Sequence, residues 1–276
     1  MAFAQMLHNT IERKQTLLCI GLDSDPDRLP AHLKNEADPI LTFNRAIIEA
    51  TADLAAAFKI NTAFYESLGS QGWETLQATF ASLPADTIKI ADAKRGDIGN
   101  TSQQYASAFF HQLNADALTV NPYMGFDSVA PFLQDPEKGV FFLCLTSNPG
   151  AQDFQYFSNS KQRLYERIAA AVQKWNNKEN CGLVVGATHP DELGGVRAIA
   201  PDLPFLIPGI GAQGGDLEQA VLQGTDRYGG AAIFNSSRAI LYASNGRDFA
   251  EAARRTAEAT RHALERAREK KLSGNC

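Results

Sequence analysis

Apolar residues in this chain fall into short dense runs, separated by longer stretches in which they recur every three or four positions. The dense runs read as strands at 17–23, 56–64, the start of 87–101, 117–121, 139–147, 182–188, 204–211 and 231–237. The periodic stretches read as helices: a short leading one at 2–13, then 38–54, 72–83, 100–113, 127–133 and 161–175. One more is opened by Pro190-Asp191-Glu192, and two others cover 216–222 and 248–270. Asp38-Pro39 gives the first long helix a capping carboxylate and a proline at its first position. Strands that alternate strictly with helices run parallel, with the helices outside. Eight such units with short connections predict a (β/α)₈ TIM barrel, preceded by a short N-terminal helix and forming one domain over residues 1–276. An open, doubly wound α/β sheet is the second choice.

Composition narrows the function. Hydrophobic residues make up 44% of 276, enough for a full core. The net charge of −5 argues against a nucleic-acid partner held by bulk positive charge, so an anionic ligand would need local cations. Cys19, Cys144, Cys181 and Cys276 form no C-x-x-C pair, and the first three lie in or beside apolar strands. They read as buried and inert, with no zinc site or disulfide framework. No apolar run reaches membrane-spanning length and the N-terminus lacks a signal-peptide core, so no membrane partner and a cytoplasmic location are expected.

The densest chemistry lies in 87–101, T-I-K-I-A-D-A-K-R-G-D-I-G-N-T. Strand alternation puts Ile88, Ile90, Asp92 and Lys94 on one face, two isoleucines at its base and two opposite charges at its top. Asp97 follows just past Gly96. Three charges at the exit of a buried strand are costly unless paired, and this set points to a catalytic site. A barrel places its site at the strand C-termini, and the other strands also end in polar residues. These are Asp23, Lys59 with Asn61, Thr146-Ser147-Asn148, and Asn235-Ser236-Ser237-Arg238. Taken singly, Asp23, Ser147 and Asn148 read more readily as turn residues than as catalytic ones. Lys59, inside an apolar strand, demands an anionic partner or ligand. His189 reads as a turn residue, and Met6, Met124 and the phenylalanines as core or wall.

Gly209 to Gly214 matches G-x-G-x-x-G between a strand and a helix. The match falls in the seventh unit, and the next strand ends in Asn-Ser-Ser-Arg where a dinucleotide site would place an acid. Glycine amides at a helix start bind phosphate without a dinucleotide, and barrels often hold phosphate at units seven and eight. The loop therefore reads as a phosphate site, with Arg238 for a bidentate grip and Gln213 as a movable clasp.

D-A-K-R-G-D-I-G-N-T resembles the signature of the orotidine 5′-phosphate decarboxylase family, in its longer bacterial branch. The resemblance runs over about 14–241, with G-L-D at 21–23, F-K-I-N at 58–61, S-N-P-G-A at 147–151, P-G-I-G-A-Q-G-G-D at 208–216 and S-R-A-I at 237–240 in the family's order. It implies a cofactor-free carbon–carbon lyase converting orotidine 5′-monophosphate to UMP in pyrimidine synthesis. Lys94 would protonate C6, Asp92 would lie against the substrate carboxylate, and Asp23 and Lys59 would hold ribose hydroxyls within a Lys-Asp-Lys-Asp chain. Ser147 would contact the base, and Asn61 and Gly214 would join the substrate-binding set. Gln213 and Arg238 would hold the phosphate. Asp97 and Thr101 would reach into the neighbouring subunit's site, which implies a homodimer. Two rival readings are a magnesium-dependent decarboxylase of sugar-acid phosphates on the same barrel, and a non-catalytic nucleotide-phosphate sensor.

Overall fold

The computed structural model describes residues 1–159, 161–188, 190–210 and 214–274, with side chains throughout except at 214–216. Eight parallel strands close into a barrel in chain order: β1 Leu18–Gly21, β2 Ala57–Asn61, β3 Ile88–Arg95, β4 Ala117–Val120, β5 Gly139–Leu145, β6 Cys181–Val185, β7 Phe205–Pro208 and β8 Ala232–Ser236. Closure is made by β8 on β1, with Leu18 opposite Phe234. Runs such as ALTV, GVFFLCL and CGLVV carry little alternation because a parallel barrel strand is covered on both faces, by the barrel interior and by helices. The barrel expectation holds.

The leading helix Phe3–Lys14 buries Phe3, Leu7 and Ile11. It lies under the N-terminal ends of β5 and β6, where the Phe3 and Ala4 amides donate to Pro136 O and Glu179 O and the Phe3 ring meets Phe141 edge-on at 5.7 Å. The opposite end of the barrel is left to the polar strand termini. Helix Pro39–Thr51 starts as its sequence dictates, with the Leu41 amide donating to Asp38 Oδ1 at 2.9 Å.

Several boundaries move. β2 stops at Asn61, short of 64, because the Asn61 side-chain oxygen accepts the Ala63 amide and turns the chain into the helical segment Ala63–Glu66. The helix expected over 100–113 is α-helical only over Gly99–Ser107 and continues as a π turn, Ala108–Gln112, in which Phe109 and Phe110 are both buried. The last helix, Phe249–Leu272, outruns its expected end. Lys271 Nζ donates to Leu222 O and Thr225 O and so anchors the added last turn. Among the described residues, no helix is long and apolar enough to cross a membrane.

Candidate active site

The strand register explains how four charges meet. Lys59 stands level with Gly21 on β1 and Ile90 on β3, one layer below Asp92. Its stem therefore rises between the carboxylates at the tops of β1 and β3. Lys59 Nζ lies 2.8 Å from Asp92 Oδ2 and 3.3 Å from Asp23 Oδ1. Lys94 Nζ lies 2.6 Å from Asp92 Oδ1, which also accepts the Thr119 hydroxyl at 2.9 Å. The result is an alternating row, Asp23–Lys59–Asp92–Lys94. Its middle is dry and its Lys94 end wet: the Lys59 side chain is 5% exposed and that of Lys94 46%.

Burial works against both inner charges, and pairing overcomes it. Desolvation would raise the Asp92 carboxyl, yet Lys59 and Lys94 hold it well below the usual carboxylate range. Desolvation would strip Lys59 of its proton, yet Asp92 and Asp23 hold its ammonium above the ordinary lysine value. Cys19, close to this row, has its thiol pushed up to about 12 by burial, and Cys181 likewise; Cys144 is also raised by burial. These three cysteines are buried and inert, as expected, while Cys276 lies outside the described residues.

Lys94 does not reach Asp92 by simple strand alternation. Ala91 pairs with Leu118 and Arg95 with Val120, so Asp92, Ala93 and Lys94 stand opposite the single residue Thr119. Lys94 takes φ 49°, a left-handed conformation uncommon outside glycine. A two-residue bulge thus turns the top of β3 and directs the Lys94 ammonium back onto Asp92.

Beside this row lies a cavity of about 590 Å³, lined by Asp23, Gly209, Ile210, Asn235, Ser236, Ser237, Arg238 and Arg28. The expected phosphate ligand Arg238 opens the helical turn Arg238–Leu241 at its wall. Arg28 was not anticipated; its guanidinium lies 3.8 Å from the Tyr242 ring centroid, and the Tyr242 hydroxyl donates to Asp23 O. Gly21 sits where a Cβ would stand 1.9 Å from Ser237 Oγ, so the glycine of G-L-D is what lets β1 and β8 close tightly below the cavity. Ser147 packs against β6 in the same way: a Cβ on Gly186 would come within 2.2 Å of its hydroxyl. Ser147 is thus seated at the mouth, beside Gly209.

The remaining expected residues separate. Asn61 lies opposite Asp92 in the register, and its side-chain oxygen accepts the Ala63 amide. Asp97 makes no ion pair with Lys94 of its own chain among the described residues; its Oδ1 accepts the Ile98 amide at 2.8 Å. Thr101 is exposed in the first turn of Gly99–Ser107. Gln213 and His189 lie outside the described residues, and Gly214 is the first residue of the helix Gly214–Gly224. Met124, expected in core or wall, is 45% exposed.

Fold and site define a (β/α)₈-barrel protein with a buried lysine–aspartate row and an arginine-lined cavity at its strand C-termini. The family described as orotidine 5′-phosphate decarboxylase / HUMPS matches residues 16–254, and the chain belongs to it. A Dehalococcoides mccartyi protein named orotidine 5′-phosphate decarboxylase is 50% identical over 98% of this chain and 100% of its own length. The protein of that name from Herpetosiphon aurantiacus is 51% identical, covering 92% of this chain and 95% of its own. Among solved structures, Leishmania donovani OMP decarboxylase superposes with a TM-score of 0.81 at 39% identity, covering 95% of this chain and 99% of that one.

Proposed function

We propose that this chain decarboxylates orotidine 5′-monophosphate to UMP and carbon dioxide, working without a cofactor as a cytoplasmic homodimer. The observation that carries this reading is the row Asp23–Lys59–Asp92–Lys94 beside the arginine-lined cavity. The 5′-phosphate would sit against Arg238, with the Gly214 amide and Gln213 closing over it. Asp23 and Lys59 would take the ribose hydroxyls, with Asn61 next to them, and Ser147 the base. The substrate carboxylate would lie against Asp92. As its C–C bond breaks, the electron pair stays on C6 and carbon dioxide leaves. Lys94 delivers its proton to C6 and is recharged from solvent. No ring carbonyl is placed to delocalise that pair, so a fixed cation is the available stabiliser, and it acts most strongly in a closed, water-poor site. The phosphate, remote from C6, contributes by driving closure.

The homodimer is supported by the loops after β3 and β4. The position of a Cβ on Gly96 is 3.7 Å from Met124 Cε, so Asp97-Ile98 and Tyr123-Met124 adjoin. Ile98 is 62% and Tyr123 85% exposed, an apolar surface suited to a second copy. Asp97 and Thr101, unused in their own site, would then complete the partner's. Against the magnesium-dependent alternative, the Asp92 carboxylate is already occupied by two lysines and a threonine.

The test is purified protein with orotidine 5′-monophosphate and EDTA, following the ultraviolet change as UMP forms. Conversion despite the chelator is expected. No conversion with UMP still bound would favour the sensor; neither conversion nor UMP binding would redirect the search to sugar-acid phosphates with magnesium. Arg238→Ala should lower kcat/KM by roughly 10²-fold, mostly through KM, because it removes a charge-assisted grip on the phosphate and leaves the proton donor in place. Steady-state kinetics showing an unchanged KM would remove Arg238 from the phosphate site.

A further inference from the structure

Side chains meet the backbone of the β3 bulge at two points. The Lys94 amide donates to Thr119 Oγ1 at 3.0 Å, and the Ala93 carbonyl accepts from Arg95 Nη1 at 3.1 Å. Arg95 is itself held by an ion pair with Glu66. Thr119 is buried, 1% exposed, and its hydroxyl bonds on both sides. It accepts the Lys94 amide and passes its own hydrogen to Asp92 Oδ1. One hydroxyl therefore fixes both the backbone from which Lys94 springs and the carboxylate against which its ammonium rests. A hydroxyl that accepts on one side and donates on the other cannot be replaced by a methyl group of the same shape, which does neither.

We infer that Thr119 is a positioning residue for the reaction: it holds Lys94 in its left-handed conformation and Asp92 in its orientation, so that the ammonium is already aimed before substrate binds. This rests on the decarboxylase reading of the same site. Thr119 acts through Lys94 and Asp92 without touching substrate. Without the hydroxyl the Lys94 amide loses its acceptor and the left-handed turn its tether. A strained conformation of this kind persists only where its surroundings hold it. The ammonium would then sample positions away from C6, and a displacement near 1 Å at a reacting group costs about 10²-fold in rate.

The test is Thr119→Val, of nearly the same shape, beside Thr119→Ser, which restores the hydroxyl. With orotidine 5′-monophosphate, Thr119→Val should lose about 10²-fold in kcat with KM within about threefold of wild type, and Thr119→Ser should recover most of the loss. Thr119→Ala serves as the hydroxyl-free variant if valine prevents folding. Crystal structures of wild type and variant supply a readout independent of turnover: Lys94 should leave the left-handed region, or its ammonium should leave Asp92, only where the hydroxyl is absent. Full kcat in the hydroxyl-free variant, or a loss that serine does not restore, overturns the inference. Wild type inert toward the substrate would instead overturn the decarboxylase reading, and the crystallographic comparison alone would then judge Thr119.

Discussion

Lys94→Ala is expected to abolish turnover, lowering kcat by at least about 10⁴-fold, while UMP still binds. Positioned proton transfer contributes about 10²–10⁴-fold, and a preorganised charge at the reacting carbon adds to it, so removing one residue that does both exceeds either alone. Binding should survive because the groups assigned to phosphate and ribose lie elsewhere, on β1, β2 and β8. The fold should survive too. The Lys94 side chain is half exposed, alanine meets the same left-handed backbone cost as lysine, and Asp92 keeps Lys59 and Thr119 as partners. Single-turnover kinetics on orotidine 5′-monophosphate and calorimetric titration with UMP check the two halves separately. A variant with full turnover would end the assignment of Lys94 as proton donor; a variant that neither turns over nor binds UMP would mean the ammonium holds the ligand itself.

The barrel was legible because its strands are buried on both faces, which leaves apolar runs such as G-V-F-F-L-C-L that only a covered strand tolerates. The charged row was legible as well, since Lys59 and Asp92 sit among apolar strand residues where an unpaired charge is untenable. What stayed hidden is what depends on a neighbour. Strand parity placed Lys94 on the face of Asp92, but the chain gets it there through a bulge whose register is defined only against β4. Thr119, inside A-L-T-V, reads as an ordinary β-branched strand residue; its hydroxyl gains meaning only once Asp92 is known to stand across from it. Arg28, in D-P-D-R-L-P, reads as a turn residue until folding brings it to the cavity wall with Arg238. Asn61, singled out for a ligand, also turns the chain, through an oxygen that accepts the Ala63 amide. Asp97 was read first with Asp92 and Lys94 as one charged set, and only the family resemblance moved it and Thr101 to a neighbouring subunit's site; in the single chain Asp97 Oδ1 accepts the Ile98 amide.

Asp92→Asn should both silence the enzyme and weaken the fold. In the wild type two carboxylates balance two ammonium groups. The substitution leaves Lys59 buried with Asp23 alone, at 3.3 Å. Breaking a buried pair by removing one partner costs about 3–5 kcal/mol, and in a chain of this size each kcal/mol lowers Tm by about 2–4 °C. The pH dependence gives the sharper signature. The Asp92 carboxyl is held below its unfolded value, so its contribution is complete above the ordinary carboxylate pKa of about 4 and drains away as pH falls towards the folded value. Lys59 is held above its unfolded value, so its contribution is complete below about pH 10 and is lost only as pH rises through the raised pKa. Between about pH 5 and 10 the stability gap between wild type and variant should be constant, and by pH 3 it should have narrowed by about 1 kcal/mol. Urea unfolding of both proteins at pH 7 and pH 3 measures it. Equal stability at pH 7 would mean that the row is not held together by Asp92, and a gap of the same size at pH 3 would mean that its carboxylate charge is not what the fold uses.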